Sequence, residues 1–141
     1  MDTRINTFAT RDLVCVDMEA TVAELVGTLA KVKLTAVPVL DSNGNCFGIV
    51  SALDILSLMA DGGNIDAIKA WEICSHAIIY VEPNITTAQA CQVMHENRVH
   101  HLVLGNAKDP VGIVSTMDIV ERLDGEARAH LIKRMKKDRQ V

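Results

Sequence analysis

The chain has 141 residues, of which 49% are apolar and 23% charged, and it carries a formal net charge of −4 at pH 7. The apolar content excludes a largely disordered protein, and the length is that of one ordinary domain. The negative charge and the four scattered aromatic residues (Phe8, Phe47, Trp71 and Tyr80) argue against nucleic-acid binding, which needs basic surfaces and stacking platforms.

Neither a membrane segment nor a metal site is predicted. No apolar run approaches the roughly 20 residues of a spanning helix, and residues 1–11 lack the apolar stretch of a signal peptide. We therefore expect a cytoplasmic protein without a membrane partner. The four cysteines lack Cys-x-x-Cys spacing and lie in apolar surroundings, so reduced core thiols are favoured over zinc ligands or disulfides. They are Cys15, Cys46, Cys74 and Cys91.

The first half of the chain predicts the order strand, helix, strand, strand, helix. Thr21 and Glu24 form a capping box before an amphipathic pattern. The turn-forming residues 41–45 separate two β-rich runs and indicate a hairpin. The predicted elements are a strand at 13–16, a helix at 22–33, strands at 36–40 and 46–50, and a helix after Ser51 that ends near Gly62.

The second half repeats this order after a connecting segment. Asn64 fits the N-cap of a connecting helix that ends before Ser75 or His76. Thr86 and Gln89 form another capping box. The predicted elements are a strand at 77–81, a helix from about 87, strands at 99–104 and 111–114, and a helix after Ser115.

A duplicated motif lies at the junction of the last strand and helix of each half. Residues 48–55 read Gly-Ile-Val-Ser-Ala-Leu-Asp-Ile, and residues 112–119 read Gly-Ile-Val-Ser-Thr-Met-Asp-Ile. Ser51 and Ser115 fit helix N-caps, and Asp54 and Asp118 fit the third helical position. Capping alone could explain one copy. The paired recurrence favours a further role, because helix N-termini attract phosphate.

The two halves predict an α/β (α+β) fold. Each half is expected to form a small sheet with one apolar face, which would remain exposed without a partner. We therefore expect two β-α-β-β-α repeats packed sheet to sheet about a pseudo-twofold axis.

This pattern resembles the cystathionine-β-synthase (CBS) domain. The likeness rests on the two Gly-Ile-Val-Ser-x-x-Asp copies and on Val37-Pro38-Val39 in the second strand, and it covers about residues 5–124. The chain is similar to a stand-alone tandem CBS pair. The expected organisation is a first repeat at 1–63, a connecting helix at 64–76, a second repeat at 77–124 and a basic helical tail at 125–141.

The resemblance implies two clefts that hold an adenosine-containing ligand such as AMP, ADP, ATP or S-adenosylmethionine, with no cofactor required. In the family, the motif aspartate binds the ribose hydroxyls and the serine helps to hold phosphate. Those roles fall to Asp54 with Ser51, and to Asp118 with Ser115. The further cleft residues that the resemblance implies are Thr35, Ala36, Val37 and Pro38 in the first half, and His100 and His101 in the second.

Three departures from the family pattern bear on this site. Val103 replaces the proline found at Pro38, the segment before Leu13 lacks the usual acidic-aliphatic helix turn, and Thr35-Ala36 offers no cation. In the second half, His100 or His101 could pair with phosphate below about pH 6.5, whereas Lys33 and Arg98 could equally point to solvent. We therefore predict that the occupied cleft is the one that uses Asp118 and His101.

Three functions were compared. The leading prediction is a regulatory module that binds an adenosine nucleotide and signals to an unidentified partner protein without catalysis. The alternative is a structural or dimerisation module with vestigial clefts, in which Ser-x-x-Asp only caps helices. An enzyme is disfavoured, because spacing suggests no nucleophile with a paired base and no metal cluster.

Surplus apolar residues predict a homodimer. The helices after Ser51 and Ser115 carry more apolar positions than one buried stripe requires, and relatives pair through these helices. The tail has Ala127, Leu131, Ile132 and Met135 on a basic segment. It is expected to be a solvated helix, with contact to a second subunit or to an anionic partner as alternatives.

Overall fold

The computed structural model describes residues 2–9, 13–122 and 132–138. The predicted α/β order is confirmed. The first half contains β1 (Val16–Asp17), α1 (Val22–Val32), β2 (Ala36–Leu40), β3 (Cys46–Ser51) and α2 (Ala52–Ala60). The second half contains α3 (Ala70–Ile73), β4 (Tyr80–Val81), α4 (Thr87–Asn97), β5 (His101–Gly105), β6 (Pro110–Ser115) and α5 (Thr116–Glu121). A 3₁₀ turn at Ile5–Thr7 precedes them, and residues 132–138 are helical.

Among the described residues, the strands form two three-stranded sheets of matching topology. In each, the first strand runs parallel to the second, and the second and third form an antiparallel hairpin. Val16 pairs with Val39 in one sheet, and Val81 pairs with Leu104 at the equivalent place in the other. The two hairpins even share an irregularity in register near their turns. This agreement supports the interpretation of the chain as a duplication.

The long helices of the two halves begin and end alike. Thr21 caps α1 by accepting from the Glu24 N–H, and Thr86 forms a full capping box with Gln89 on α4. The helices end at Lys33 and Arg98, both in the left-handed conformation (φ 55° and 53°). Such a conformation is strained for a residue with a side chain, by about 1 kcal/mol.

Each half contains its own apolar core, but each core includes one or two residues from the other half's leading segment. One core consists of Val22, Leu25, Leu29, Val37, Val39, Val50, Ile55 and Ala70. The other consists of Ile5, Ala9, Ala90, Met94, Leu102, Leu104, Val114 and Ile119. The start of the chain therefore packs with the second half.

Backbone hydrogen bonds show that this exchange is symmetric. The Ile5 N–H donates to the Ile85 carbonyl (3.0 Å), and the Ala70 N–H donates to the Ala20 carbonyl (2.8 Å). These pairs are equivalent at an offset of 65 residues in the sequence. Each short leading segment is thus tied to the opposite half, as a pseudo-twofold arrangement requires. The proposed repeat boundaries at residues 63 and 77 stay a prediction.

The connecting segment differs from its prediction. Only Ala70–Ile73 is helical, because the Asn64 side chain accepts from the Asp66 N–H (3.0 Å) and closes a turn instead of opening a long helix. β1 and β4 are also shorter than predicted, with two residues each. Of the tail predicted at 125–141, residues 132–138 are helical, and the others lie outside the described residues. No helix in the described part of the chain is long and apolar enough to cross a bilayer.

Candidate functional site

The two Ser-x-x-Asp motifs form nearly identical capping boxes. The Asp54 N–H donates to Ser51 Oγ (3.3 Å), and the Ser51 N–H donates back to Asp54 Oδ2 (2.8 Å). The corresponding distances for Ser115 and Asp118 are 3.1 and 2.8 Å. In both boxes, Oδ1 of the aspartate accepts no hydrogen bond from any described residue. One carboxylate oxygen of each aspartate therefore fixes the helix start.

Asp54 lines a large cavity between the halves. The cavity has a volume of about 590 Å³, within the ~300–1,000 Å³ typical of small-molecule sites. Ser51 and Asp54 face residues of the second half here, including Arg98, His100 and His101. The apolar lining includes Ile49, Leu53, Ile78, Ile79, Val99 and Met117. The cavity thus combines a carboxylate, a permanent cation and an apolar wall.

Asp118 lines a smaller cavity of about 150 Å³. Ser115, Asp118 and Glu121 belong to the second half, whereas Lys33 and Thr35 come from the first. The volume lies below the usual range for small-molecule sites. In the structure as it stands, this cleft is too small for a whole nucleotide.

Each Ser-x-x-Asp motif therefore lines a cavity together with residues of the opposite half. Asp118 and His101 do share a cavity, as expected, but it is the smaller one. Arg98 and His100 line the larger cavity with Asp54. Ala36 lines only the smaller cavity.

Two predicted cleft residues line neither cavity. Val37 belongs to the first apolar core, and Pro38 is also fully buried within β2. Because the side chains of both residues are buried and line neither cavity, they are left out of the proposed site. Sequence reasoning also missed the segment before β4, where Ser75, Ala77, Ile78 and Ile79 line the large cavity. Their β-rich pattern predicted only a strand.

The imidazole of His101 has a lowered pKa. Burial lowers the pKa of its imidazole from the usual 6.5, and His100 adds to this effect, while Asp118 and Asp54 oppose it. The positive charge that the sequence predicted at this ring for phosphate binding is therefore disfavoured by burial. The permanent cation of the large cavity is therefore Arg98, whose side chain is exposed and whose guanidinium stays charged.

The cysteines are free thiols. Burial raises the pKa of Cys15 and of Cys74, so both are protonated at neutral pH and unreactive. Among the described residues, no three His, Cys, Asp or Glu side chains are grouped closely enough to hold a metal ion.

A family assignment follows from the sequence profile. The profile of the CBS domain matches residues 5–61 and residues 70–125. The chain belongs to the CBS domain family. The two matched segments correspond to the two halves of the fold, so the chain is a tandem CBS pair, as the motif resemblance predicted.

Known proteins with similar sequences are mostly longer. The γ-3 subunit of 5′-AMP-activated protein kinase from Sus scrofa is 26% identical over 130 residues, which cover 86% of this CBS pair and 25% of the subunit. The chain spans 34% or less of the length of the curated relatives that it matches.

Solved structures of similar size share the fold. A CBS-domain-containing protein from Agrobacterium tumefaciens has a TM-score of 0.76 and 26% identity, covering 86% of this chain and 93% of its own. A second CBS domain pair, solved in complex with 5′-methylthioadenosine and S-adenosyl-L-methionine, has a TM-score of 0.75 and 18% identity, covering 86% and 95%. CBS-pair proteins are generally regulatory modules without catalysis.

Proposed function

We propose that this CBS pair is a regulatory sensor that binds an adenosine nucleotide in the Asp54 cleft. The observation that carries the proposal is the cavity of about 590 Å³ that joins Asp54 of one half to Arg98 of the other. CBS pairs commonly bind adenosine ligands, and the structure with 5′-methylthioadenosine and S-adenosyl-L-methionine is one example.

Each part of a nucleotide has a suitable counterpart in this cleft. Asp54 Oδ1 is available for the ribose hydroxyls, since a carboxylate accepts strong hydrogen bonds from hydroxyl donors. Ile78, Ile79 and Val99 offer apolar surface for the adenine ring. Arg98 and the N-terminus of α2 provide the positive potential for phosphate.

The role of Ser51 is more limited than the family pattern suggests. Its hydroxyl donates to Asp54 Oδ2 (3.0 Å) and accepts from the Asp54 N–H (3.3 Å). Because both contacts hold the helix start, Ser51 mainly positions Asp54. Thr116, which lines the same cavity from the second half, offers a second hydroxyl for phosphate.

Charge favours a phosphate-bearing ligand. Arg98 attracts the phosphates of AMP, ADP or ATP. Among the candidate ligands, we therefore rank the nucleotides first.

A ligand in this cleft would bridge the two halves and change their relative arrangement or stiffness, without catalysis. The signal would pass to an unidentified protein partner in the cytoplasm. We also propose a homodimer, because α2 and α5 expose large apolar side chains. They are Leu53, Leu56 and Met59 on α2, and Met117 and Val120 on α5.

A thermal-shift titration with AMP, ADP, ATP, adenosine and S-adenosylmethionine tests the proposal. A nucleotide at 100 times its Kd should stabilise the protein by about 2.7 kcal/mol, which corresponds to a rise in Tm of about 9 °C for a chain of this length. A flat response to all five compounds would favour the alternative, a structural module with vestigial clefts.

A further inference from the structure

One pair of side chains separates the two clefts. The Thr35 hydroxyl oxygen and His101 Nε2 are 2.9 Å apart, and this hydrogen bond joins the start of β2 to the start of β5. Both residues line the large cavity and the small one, together with Ser115 and Met117. The His101 ring therefore forms part of a wall that the clefts share.

Charged groups surround this ring on both sides. The groups that line the cavities next to it are Asp54, Arg98 and His100 on the large side, and Lys33, Asp118 and Glu121 on the small side. Both Asp54 and Asp118 act to raise the pKa of His101, although burial and His100 lower it overall. A change of charge in either cleft therefore changes the pKa of the same imidazole.

We propose that His101 couples the two clefts through its protonation state. An anion bound in one cleft favours the imidazolium, and the positive charge then strengthens anion binding in the other cleft. The proton comes from solvent. By linkage, the coupling is reciprocal. The identity of the anion in the large cleft, a nucleotide phosphate, rests on the proposed function.

The Thr35 hydroxyl suits both states of the ring. A hydroxyl can donate to a neutral Nε2 or accept from a protonated one, so the hydrogen bond of 2.9 Å survives protonation. The wall stays in place, and only its charge changes. The coupling therefore requires no movement between the halves.

A pH titration of the ligand-free protein tests whether His101 responds to charges in both clefts. The pKa of His101 is measured by NMR in the wild type, in Asp54→Asn and in Asp118→Asn. Each substitution should lower this pKa, because each removes a negative charge that favours the imidazolium. Asp61→Asn, an exposed residue at the end of α2, is the control and should leave it unchanged. A response to only one of the two cleft aspartates would overturn the coupling.

A double-mutant cycle with AMP tests the coupling across clefts. At about pH 6.5, Asp118→Asn should weaken AMP binding in the opposite cleft by about fivefold, the lower end of typical coupling between sites. In a His101→Gln background, Asp118→Asn should have no further effect. Calorimetry in buffers of different ionisation enthalpy should also show proton uptake on AMP binding, which His101→Gln abolishes. His95→Gln, on the exposed face of α4, should retain it.

The ligand-free titration and the double-mutant cycle distinguish a failure of the coupling from a failure of the proposed function. If AMP binds but the effects of Asp118→Asn and His101→Gln are simply additive, the coupling is wrong and the proposed function stands. If the wild type binds no AMP, the proposed function fails, and the ligand-free titration still decides whether the clefts share one titrating wall.

Discussion

The Asp54 and Asp118 clefts begin with the same local motif and end as different sites. Their capping boxes agree to within 0.2 Å, yet the cavities measure about 590 and 150 Å³. The difference lies in what the opposite half contributes. The duplicated motif thus sets the position of each aspartate carboxylate, but residues of the opposite half determine the size and charge of the cavity around it.

The cationic positions show the same contrast. Lys33 and Arg98 are equivalent in the duplication, and both end a helix in the left-handed conformation. Arg98 lines the large cleft with His100, whereas Lys33 lines the small cleft with Thr35, the position equivalent to His100.

Both halves contribute exposed apolar side chains to the surface that we assign to dimerisation. Leu56 on α2 is 60% exposed, and its counterpart Val120 on α5 is 51% exposed. Light scattering at micromolar concentration should give about twice the chain mass of 15.4 kDa. Leu56→Asp combined with Val120→Asp should give a monomer. Val111→Asp, at an exposed apolar position on β6, is the control and should remain dimeric. A monomeric wild type would refute the dimer.

The aspartate pair offers the sharpest comparison of the clefts. Asp54→Ala should weaken AMP binding by about 1.5–3 kcal/mol, because it removes the ribose acceptor of the large cleft. Asp118→Ala removes an equivalent capping residue and should cost similar stability, under about 2 kcal/mol in each variant. Its indirect effect on AMP binding should be the smaller of the two. Calorimetric titration of both variants decides this, and the reverse ranking would move the nucleotide to the Asp118 cleft.

Glycine substitutions at the two helix ends separate stability from binding. Lys33→Gly and Arg98→Gly should each raise the free energy of unfolding by up to about 1 kcal/mol, because glycine adopts positive φ without strain. Arg98→Gly should also weaken AMP binding by about 1 kcal/mol, a modest loss since Arg98 is exposed, and should leave adenosine binding unchanged. Equal losses for AMP and adenosine would show that Arg98 does not contact the phosphate. Urea denaturation and calorimetry measure the two effects.

The smallest expected effect is the contribution of His101 to acid sensitivity. Its pKa in the folded protein lies below 6.5, so the unfolded chain binds more protons in the window between these two values. The free energy of unfolding should therefore fall as pH drops below about 6.5, and should be unaffected by this residue at higher pH. Urea denaturation should show a smaller fall in His101→Gln. A fall that is identical in the variant and the wild type would contradict the buried, neutral ring.

The sequence by itself determined the features that depend on near neighbours. The Ser51–Asp54 and Ser115–Asp118 boxes join residues three positions apart, so the residue types are enough to predict them. The order of strands and helices follows from the periodicity of apolar residues and from the positions of turn-forming residues. The duplication and the family likeness also follow, since both rest on motifs of eight residues or fewer.

Only the tertiary structure decided which side chains meet in each cleft. Asp54 and Arg98 are 44 positions apart, and no local pattern indicates that the first motif faces the second half. The volume of each cleft and the burial of His101 depend on how the halves pack against each other. Packing also placed Ile5 in the second core. These outcomes arise from long-range contacts, whose energies belong to pairs of distant residues and not to any single segment.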